Sequence, residues 1–281
     1  MANKANKSID NTHLSIDNSE NRGFIHRDYI AHCLRWTHVC RWLYRESRYK
    51  YARILDVGCG KEMPLAKMLM SSRLSVPYYA GIDINEFEIP SVFANTKWKP
   101  TEIFKGDAAL LNLEELEEQP NVIVCFEVLE HIEPNHCRDM LSNFAKLIDS
   151  DGDIFLSTPC YDSNVGAAAN HVNEMTYRAF GAALEDSGFR IIGHWGTFAS
   201  MRDYSADLET IRGLPEVFDR LREYYDTNYL ATVFAPLFPN RARNCLWHVR
   251  HERTPNTRLF PTLMDVPKPW GSSEHWERLL P

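Results

Sequence analysis

The 281-residue sequence predicts an α/β fold: a doubly wound, mainly parallel sheet with helices on both faces. Two observations carry that prediction. From Ala52 onward, short apolar runs alternate with helix-patterned stretches, as in consecutive βαβ units. The first run, Arg53-Ile54-Leu55, empties through Asp56-Val57-Gly58-Cys59-Gly60-Lys61-Glu62 into a helix-like stretch from Met63 to Ser72. A strand that leaves through a tight glycine turn into a helix N-terminus aims backbone N–H groups at a polar ligand.

Met1 to Arg22 is rich in Asn, Ser and Asp and repeats Ser8-Ile9-Asp10-Asn11 as Ser15-Ile16-Asp17-Asn18. It is too polar to repay the entropy of ordering and is expected to be a disordered tail. His26 to Tyr51 has apolar residues at 30, 33, 34, 40, 43 and 44, a helical spacing. Between Arg22 and Arg53, eight Lys or Arg stand against Asp28 and Glu46. The expectation is a solvated helix face covering the domain edge, with a phosphate-binding surface as the alternative.

The second strand, Tyr78 to Asp83, ends in a carboxylate that can accept both hydroxyls of a ribose. The third, from Ile103, ends at Asp107, and the fourth, Asn121 to Phe126, runs into Glu127-Val128-Leu129-Glu130-His131. A helix from His136 to Asp149 follows, with Leu141, Phe144, Leu147 and Ile148 on one face. The turn Ser150-Asp151-Gly152 delivers the chain to a fifth strand ending at Pro159. Met175 to Asp186 reads as a helix capped by Gly188, and Phe189 to His194 as the next strand. Asn244 to Arg250 would be the last strand, after an aromatic-rich helical insertion at about 197–243. Next to the strand ends, that insertion is placed to roof a substrate. The tail 254–281, with Trp270 and Trp276 among prolines, is expected to drape over the domain 23–253 or a partner.

Composition narrows the function. Thirty-one basic against 38 acidic residues, a formal charge of −7, argues against a long nucleic-acid groove. The seven cysteines form no C-x-x-C pair and are odd in number, which speaks against a disulfide scaffold or zinc finger and for reduced thiols in a cytoplasmic protein. No apolar run approaches the roughly 18 residues that would span a membrane.

The glycine turn, the acid ending the second strand, the acid after the third and the motif after the fourth occur in one order. In that order they resemble the class I S-adenosylmethionine-dependent methyltransferases, over roughly Ala52 to Arg250. Val122 to His131 and Gly152 to Pro159 are most similar to the branch of ubiquinone-pathway O-methyltransferases and small-RNA 3′-terminal 2′-O-methyltransferases. The resemblance implies a seven-stranded Rossmann-like fold with S-adenosyl-L-methionine as cofactor. It implies that Gly58 and Gly60 frame the cofactor's amino-acid end, that Asp83 holds its ribose and Asp107 its adenine, that Glu127 faces the sulfonium, and that Asp56, Cys59, Ile84 and Ala108 also bind the cofactor. Where the family carries a third glycine this chain has Glu62, so the helix would sit slightly farther from the strand, or Glu62 would touch the amino-acid end. A nicotinamide-binding domain is the competing reading, disfavoured because Met63 replaces the third glycine of G-x-G-x-x-G.

Methyl transfer from a sulfonium is an in-line displacement, so the enzyme must chiefly align nucleophile and methyl, with a base if the nucleophile needs one. Glu127, Glu130 and His131 are spaced to share one side of a helical turn, and His171 brings a second imidazole from the loop after the fifth strand. Together they make a candidate Mg²⁺ site, an arrangement that the resemblance associates with metal-assisted methylation of a hydroxyl. His131 and Glu127 are the candidate catalytic residues. The alternatives are His131 as a metal-free base and a purely structural role for the cluster. Cys59 and Cys125 read as packing residues. The expected acceptor is a small-molecule hydroxyl, the alternatives being an RNA 3′ end or no catalysis at all on a binding protein of this fold.

Overall fold

The computed structural model describes residues 27–209 and 212–251, so both expected tails, 1–22 and 254–281, lie outside the described residues. Seven strands form one sheet: β1 (Arg53–Val57), β2 (Tyr78–Asp83), β3 (Glu102–Lys105), β4 (Val122–Phe126), β5 (Asp153–Pro159), β6 (Phe189–Phe198) and β7 (Asn244–His251). Their order is β3-β2-β1-β4-β5-β7-β6, and only β7 runs antiparallel to its neighbours. This is the doubly wound, mainly parallel sheet that the alternating pattern predicts. The strand order reverses between β1 and β4, which opens a crevice at the carboxyl ends of those strands.

The central strands are largely apolar because both faces are covered. Leu55, Val57, Ile123, Cys125, Ile154 and Leu156 point to one face, where they meet α3 (Pro134–Leu147) and α4 (Tyr177–Asp186). Ile54, Val122, Val124 and Phe155 point to the other, against α1 (Arg27–Tyr44) and α2 (Pro64–Ser71). Three short helices, α5 (Met201–Leu208), α6 (Leu214–Leu221) and α7 (Thr227–Phe234), fill the insertion and enclose a small core of their own around Phe218, Leu230 and Phe238.

Two features depart from the sequence expectation. The buried residues of α1 are Ala31, Arg35, Val39, Cys40, Trp42 and Leu43, of which only Cys40 and Leu43 belong to the expected apolar set, whereas Tyr44 is 72% exposed. The helix therefore faces the sheet with a stripe rotated from the one its apolar residues suggest, and that stripe contains an arginine. Secondly, β6 continues past His194 to Phe198, its register with β7 interrupted at Gly193 and Gly196. Gly196 permits close approach: a Cβ on it would stand 2.3 Å from the Ala235 carbonyl oxygen. Among the described residues no helix is long and apolar enough to cross a membrane.

Candidate active site

A cleft of about 1600 Å³ opens at the carboxyl ends of β1, β2, β4 and β5. Its floor is the glycine turn. Gly58 and Gly60 take φ of +68° and +61°, the left-handed region that costs a residue with a Cβ. Gly58 is also pressed by Val128, whose Cγ2 would lie 2.2 Å from an added Cβ. The N–H groups of Gly58 and Cys59 bond the Ile82 carbonyl at 2.8 and 3.3 Å, tying the turn to β2. Glu62 turns aside to pair with Lys67 at 2.6 Å, so its carboxylate has a protein partner one helical turn on.

Asp83 ends β2 with one carboxylate oxygen 3.1 Å from the Gly60 N–H and the other accepting the Asn85 N–H at 2.8 Å. Ile84 beside it is 73% exposed. Asp107 accepts the Ala109 N–H at 2.9 Å and meets His136 Nε2, on the first turn of α3, at 2.7 Å. The loop that carries Asp107 and Ala108 is held from below by buried Asn143, whose amide donates to the carbonyls of Ala108 and Leu111 at 2.8 and 2.9 Å. Asp56 lies deeper, in contact with the Tyr79 hydroxyl. Cys59 and Cys125 are buried, and burial pushes both thiols up, so neither offers a thiolate.

The candidate cofactor, catalytic and metal residues all line this one cleft, from Asp56, Gly58, Cys59, Gly60, Asp83, Ile84, Asp107 and Ala108 to Glu127, Glu130, His131 and His171, whereas Glu62 does not. Glu127, Glu130 and His131 do not, however, share one helical face. Glu127 takes φ +56°, an uncommon conformation for a side-chain-bearing residue, and only Leu129–His131 form a 3-10 turn. Glu127 is thereby turned towards α1: Arg35 Nη1 is 2.9 Å from Oε1, Ser157 Oγ donates to Oε1 at 2.8 Å, and Asn244 Nδ2 donates to Oε2 at 2.7 Å. Burial pushes the Glu127 carboxyl up, but the charges of Arg35 and His32 and these bonds outweigh it and hold it below the usual range. Arg35 is 1% exposed, and it also donates to Asn244 Oδ1 at 3.1 Å and touches His32.

Glu130, His131 and His171 do converge, with one donor atom of each within 4.8 Å of the others. Glu130 is 1% exposed, its Oε2 has no hydrogen-bond partner, and burial together with the Glu127 charge pushes its carboxyl well above the usual range. The two imidazoles stand edge to face at 4.8 Å. Nδ1 of His131 lies 3.2 Å from the Asn170 carbonyl oxygen, and Nδ1 of His171 donates to Glu174. Each ring is thus anchored through Nδ1, leaving Nε2 for the cluster.

A seven-stranded sheet of this order, with a glycine turn and three strand-end acids lining one cleft, defines an α/β enzyme that binds a nucleoside-bearing cofactor. Residues 31–194, more than half of the chain, match the family model described as a methyltransferase domain. The chain belongs to that family and is a class I S-adenosylmethionine-dependent methyltransferase. No curated protein sequence matches it. Solved structures share the fold at low identity. An S-adenosylmethionine-dependent methyltransferase from Clostridium acetobutylicum is 10% identical, with a TM-score of 0.51 over 85% of this chain and 98% of that one. The small RNA methyltransferase HEN1 is 15% identical, with a TM-score of 0.51 over 77% of this chain and 25% of that one. N-methyltransferase NodS from Bradyrhizobium japonicum, in complex with S-adenosyl-L-homocysteine, is 13% identical, with a TM-score of 0.50 over 79% of this chain and 87% of that one.

Proposed function

We propose that this methyltransferase transfers the methyl group of S-adenosyl-L-methionine to a hydroxyl of a small molecule, beside a divalent cation held by Glu130, His131 and His171. The observation that supports it is the convergence of the buried Glu130 carboxylate with two imidazoles whose Nδ1 atoms are already anchored. That donor set fits an oxygen- and nitrogen-preferring cation such as Mg²⁺ or Mn²⁺, and anchoring of Nδ1 by Glu174 and Asn170 is the outer-shell support such ligands need. Glu127 is not in the set, because Arg35, Ser157 and Asn244 engage it.

When bound, the cation would lower the pKa of the acceptor hydroxyl and fix its oxygen. The remaining work falls to the chain itself. Asp83 and Asp107 would hold the ribose and adenine, and the glycine turn would admit the amino-acid end, so that sulfonium and acceptor meet near Glu127 and His131. His131, at the cleft surface, would take the hydroxyl proton through Nε2 in molecules that lack the cation.

The test is calorimetric titration of Mn²⁺ and of S-adenosylhomocysteine into wild type, Glu130→Gln, His171→Ala and Asp83→Ala. The reading expects cation binding to vanish in the first two variants and cofactor binding to vanish in the third. Failure of wild type to bind S-adenosylhomocysteine would remove the cofactor site, while cofactor binding without cation binding would leave a metal-free O-methyltransferase. Salt-sensitive binding of a short RNA would move the acceptor to nucleic acid.

A further inference from the structure

Two cysteines with no part in the cofactor site meet across the β5–β7 pair. Cys160 is the first residue after β5, and its N–H donates to the Arg243 carbonyl at 2.8 Å, one step beyond the paired Pro159 and Asn244. Cys245 pairs with Thr158, so the two cysteines occupy diagonal positions on adjacent strands. Both face the α3–α4 side of the sheet, where Cys245 belongs to the core and Cys160 packs against it. Tyr177 lies in that core as well, and the charges of both thiols act on its hydroxyl. Burial and the neighbouring Cys160 together push the Cys245 thiol well above its usual range.

Their surroundings differ. Cys245 is fully buried and its Sγ donates to the Pro239 carbonyl at 3.0 Å, whereas Cys160 is half-buried and lines the cleft. A small oxidant that enters the cleft reaches Cys160 first and finds Cys245 behind it, the arrangement of an attacked thiol and a resolving one. Cys160 also stands at the neck of a loop. The Tyr161 N–H donates to the Met175 carbonyl at 2.9 Å and Cys160 bridges Met175, so the chain of residues 161–174 leaves and returns at one point. That loop forms one wall of the cleft through Asp162, Val165 and Asn170, and it carries His171 with its anchor Glu174.

We propose that Cys160 and Cys245 form a reversible disulfide, driven by a peroxide, that ties the neck of this loop to β7. The Cys160 sulfur attacks one peroxide oxygen, the O–O bond breaks, and a sulfenic acid and one water result. The Cys245 sulfur then attacks the Cys160 sulfur. The S–S bond forms as the S–O bond breaks, and the hydroxide leaves with the Cys245 proton as a second water. Two thiols are thereby oxidised and one peroxide is reduced to two waters. Diagonal neighbours stand about 7–8 Å apart between Cα atoms, and a disulfide spans about 4.4–6.8 Å. Closing it therefore draws the neck towards β7 and takes Cys245 from the Pro239 carbonyl. A bond that must pull its ends together is readily reduced, which suits a switch more than a permanent cross-link.

The experiment treats the full chain with hydrogen peroxide, blocks the remaining free thiols and maps the peptides by mass spectrometry. The expected product is a linked pair of peptides containing Cys160 and Cys245, lighter by two hydrogens and separated by dithiothreitol. Hydrogen exchange across 161–174 should slow about tenfold on oxidation and recover on reduction. Cys245→Ser should abolish the link and leave Cys160 to advance to sulfinic acid, and Cys245→Ala serves where the serine variant does not fold. Three results in wild type overturn the proposal: Cys160 left unreacted by peroxide, Cys160 taken to sulfinic acid beside a reduced Cys245, or a link made through Cys33, the other half-buried thiol. A link between Cys160 and Cys245 that leaves exchange in the loop unchanged overturns it as well.

Discussion

The Tyr79 hydroxyl donates a hydrogen bond to the Asp56 carboxyl across the β1–β2 pair, directly beneath the glycine turn. Burial pushes Asp56 up to about 7, with the Asp83 charge adding to it and the Tyr79 bond opposing it. A carboxyl whose folded pKa lies above its unfolded one holds its proton more tightly when folded. Its stabilising contribution is therefore complete below about pH 4 and lost as pH rises to about 7. Asp56→Asn keeps the acceptor for Tyr79 and removes the titration. The expected outcome is that wild type, measured against Asp56→Asn by denaturant midpoint, loses up to about 3 kcal/mol between pH 4.5 and 7.5. Parallel pH profiles for the two proteins would show that Asp56 is ionised throughout.

Gly58 and Gly60 share a left-handed backbone but not their surroundings. Nothing lies within 4 Å of a Cβ on Gly60, whereas one on Gly58 would stand 2.2 Å from Val128 Cγ2. Gly60→Ala is expected to cost about 1–2 kcal/mol, the left-handed penalty alone. Gly58→Ala should cost more and weaken S-adenosylhomocysteine binding more than tenfold by displacing Val128 and Glu127. Thermal melts and ligand titrations check both, and equal losses would mean that backbone conformation, not the Val128 contact, sets the cost.

The positions along the cleft were legible in the sequence because each sits where a strand ends: Gly58 after β1, Asp83 at the end of β2, Asp107 after β3 and Glu127 after β4. Their partners were not. Arg35 and Glu127 are 92 positions apart, and no local pattern announces an ion pair across helix and sheet. One signal existed: Arg35 falls on the same helical line as Ala31, Val39 and Leu43, and a charge in an apolar stripe needs a buried partner. Asn143 and His136, which hold the Asp107 loop, and Asn170 and Glu174, which anchor the imidazoles, are likewise tertiary acquaintances. The helical spacing of Glu127, Glu130 and His131 misled because Glu127 departs from helical backbone at φ +56°.

At the opposite end of the sheet, Asp153 is enclosed by His248 Nε2 at 2.6 Å, by Arg250 at 2.6 and 3.0 Å, and by Arg48 at 3.9 Å. Burial alone would raise this carboxyl, but the His248 and Arg250 interactions outweigh it and hold it below the usual range. Its contribution is thus present at neutral pH and lost as pH falls through the depressed folded pKa. Asp153→Asn leaves the guanidinium of Arg250 buried without its counter-charge. A loss of about 3–5 kcal/mol at pH 7 is expected, shrinking towards acid pH. Chemical unfolding at pH 7 and below 4 measures it, and a loss independent of pH would assign the effect to packing.

The insertion meets the sheet through a close backbone contact, because Gly196 of β6 lies against the backbone of Ala235 and the methyl of Ala242. An added Cβ would stand 2.3 Å from the Ala235 carbonyl oxygen and 2.6 Å from the Ala242 Cβ, both backbone-borne atoms that no rotamer change can clear. The insertion also has its own core, which Phe218, Leu230 and Phe238 form apart from the two sheet cores. A methyl at position 196 should therefore lever the helices off β6 without dismantling β1, β4 and β5. For Gly196→Ala, hydrogen exchange is expected to accelerate across 201–238 and to stay slow in the three central strands. Acceleration in every strand alike would show instead that insertion and sheet unfold as one cooperative unit, and that α5 to α7 are as much a part of the domain's stability as the helices that cover its faces.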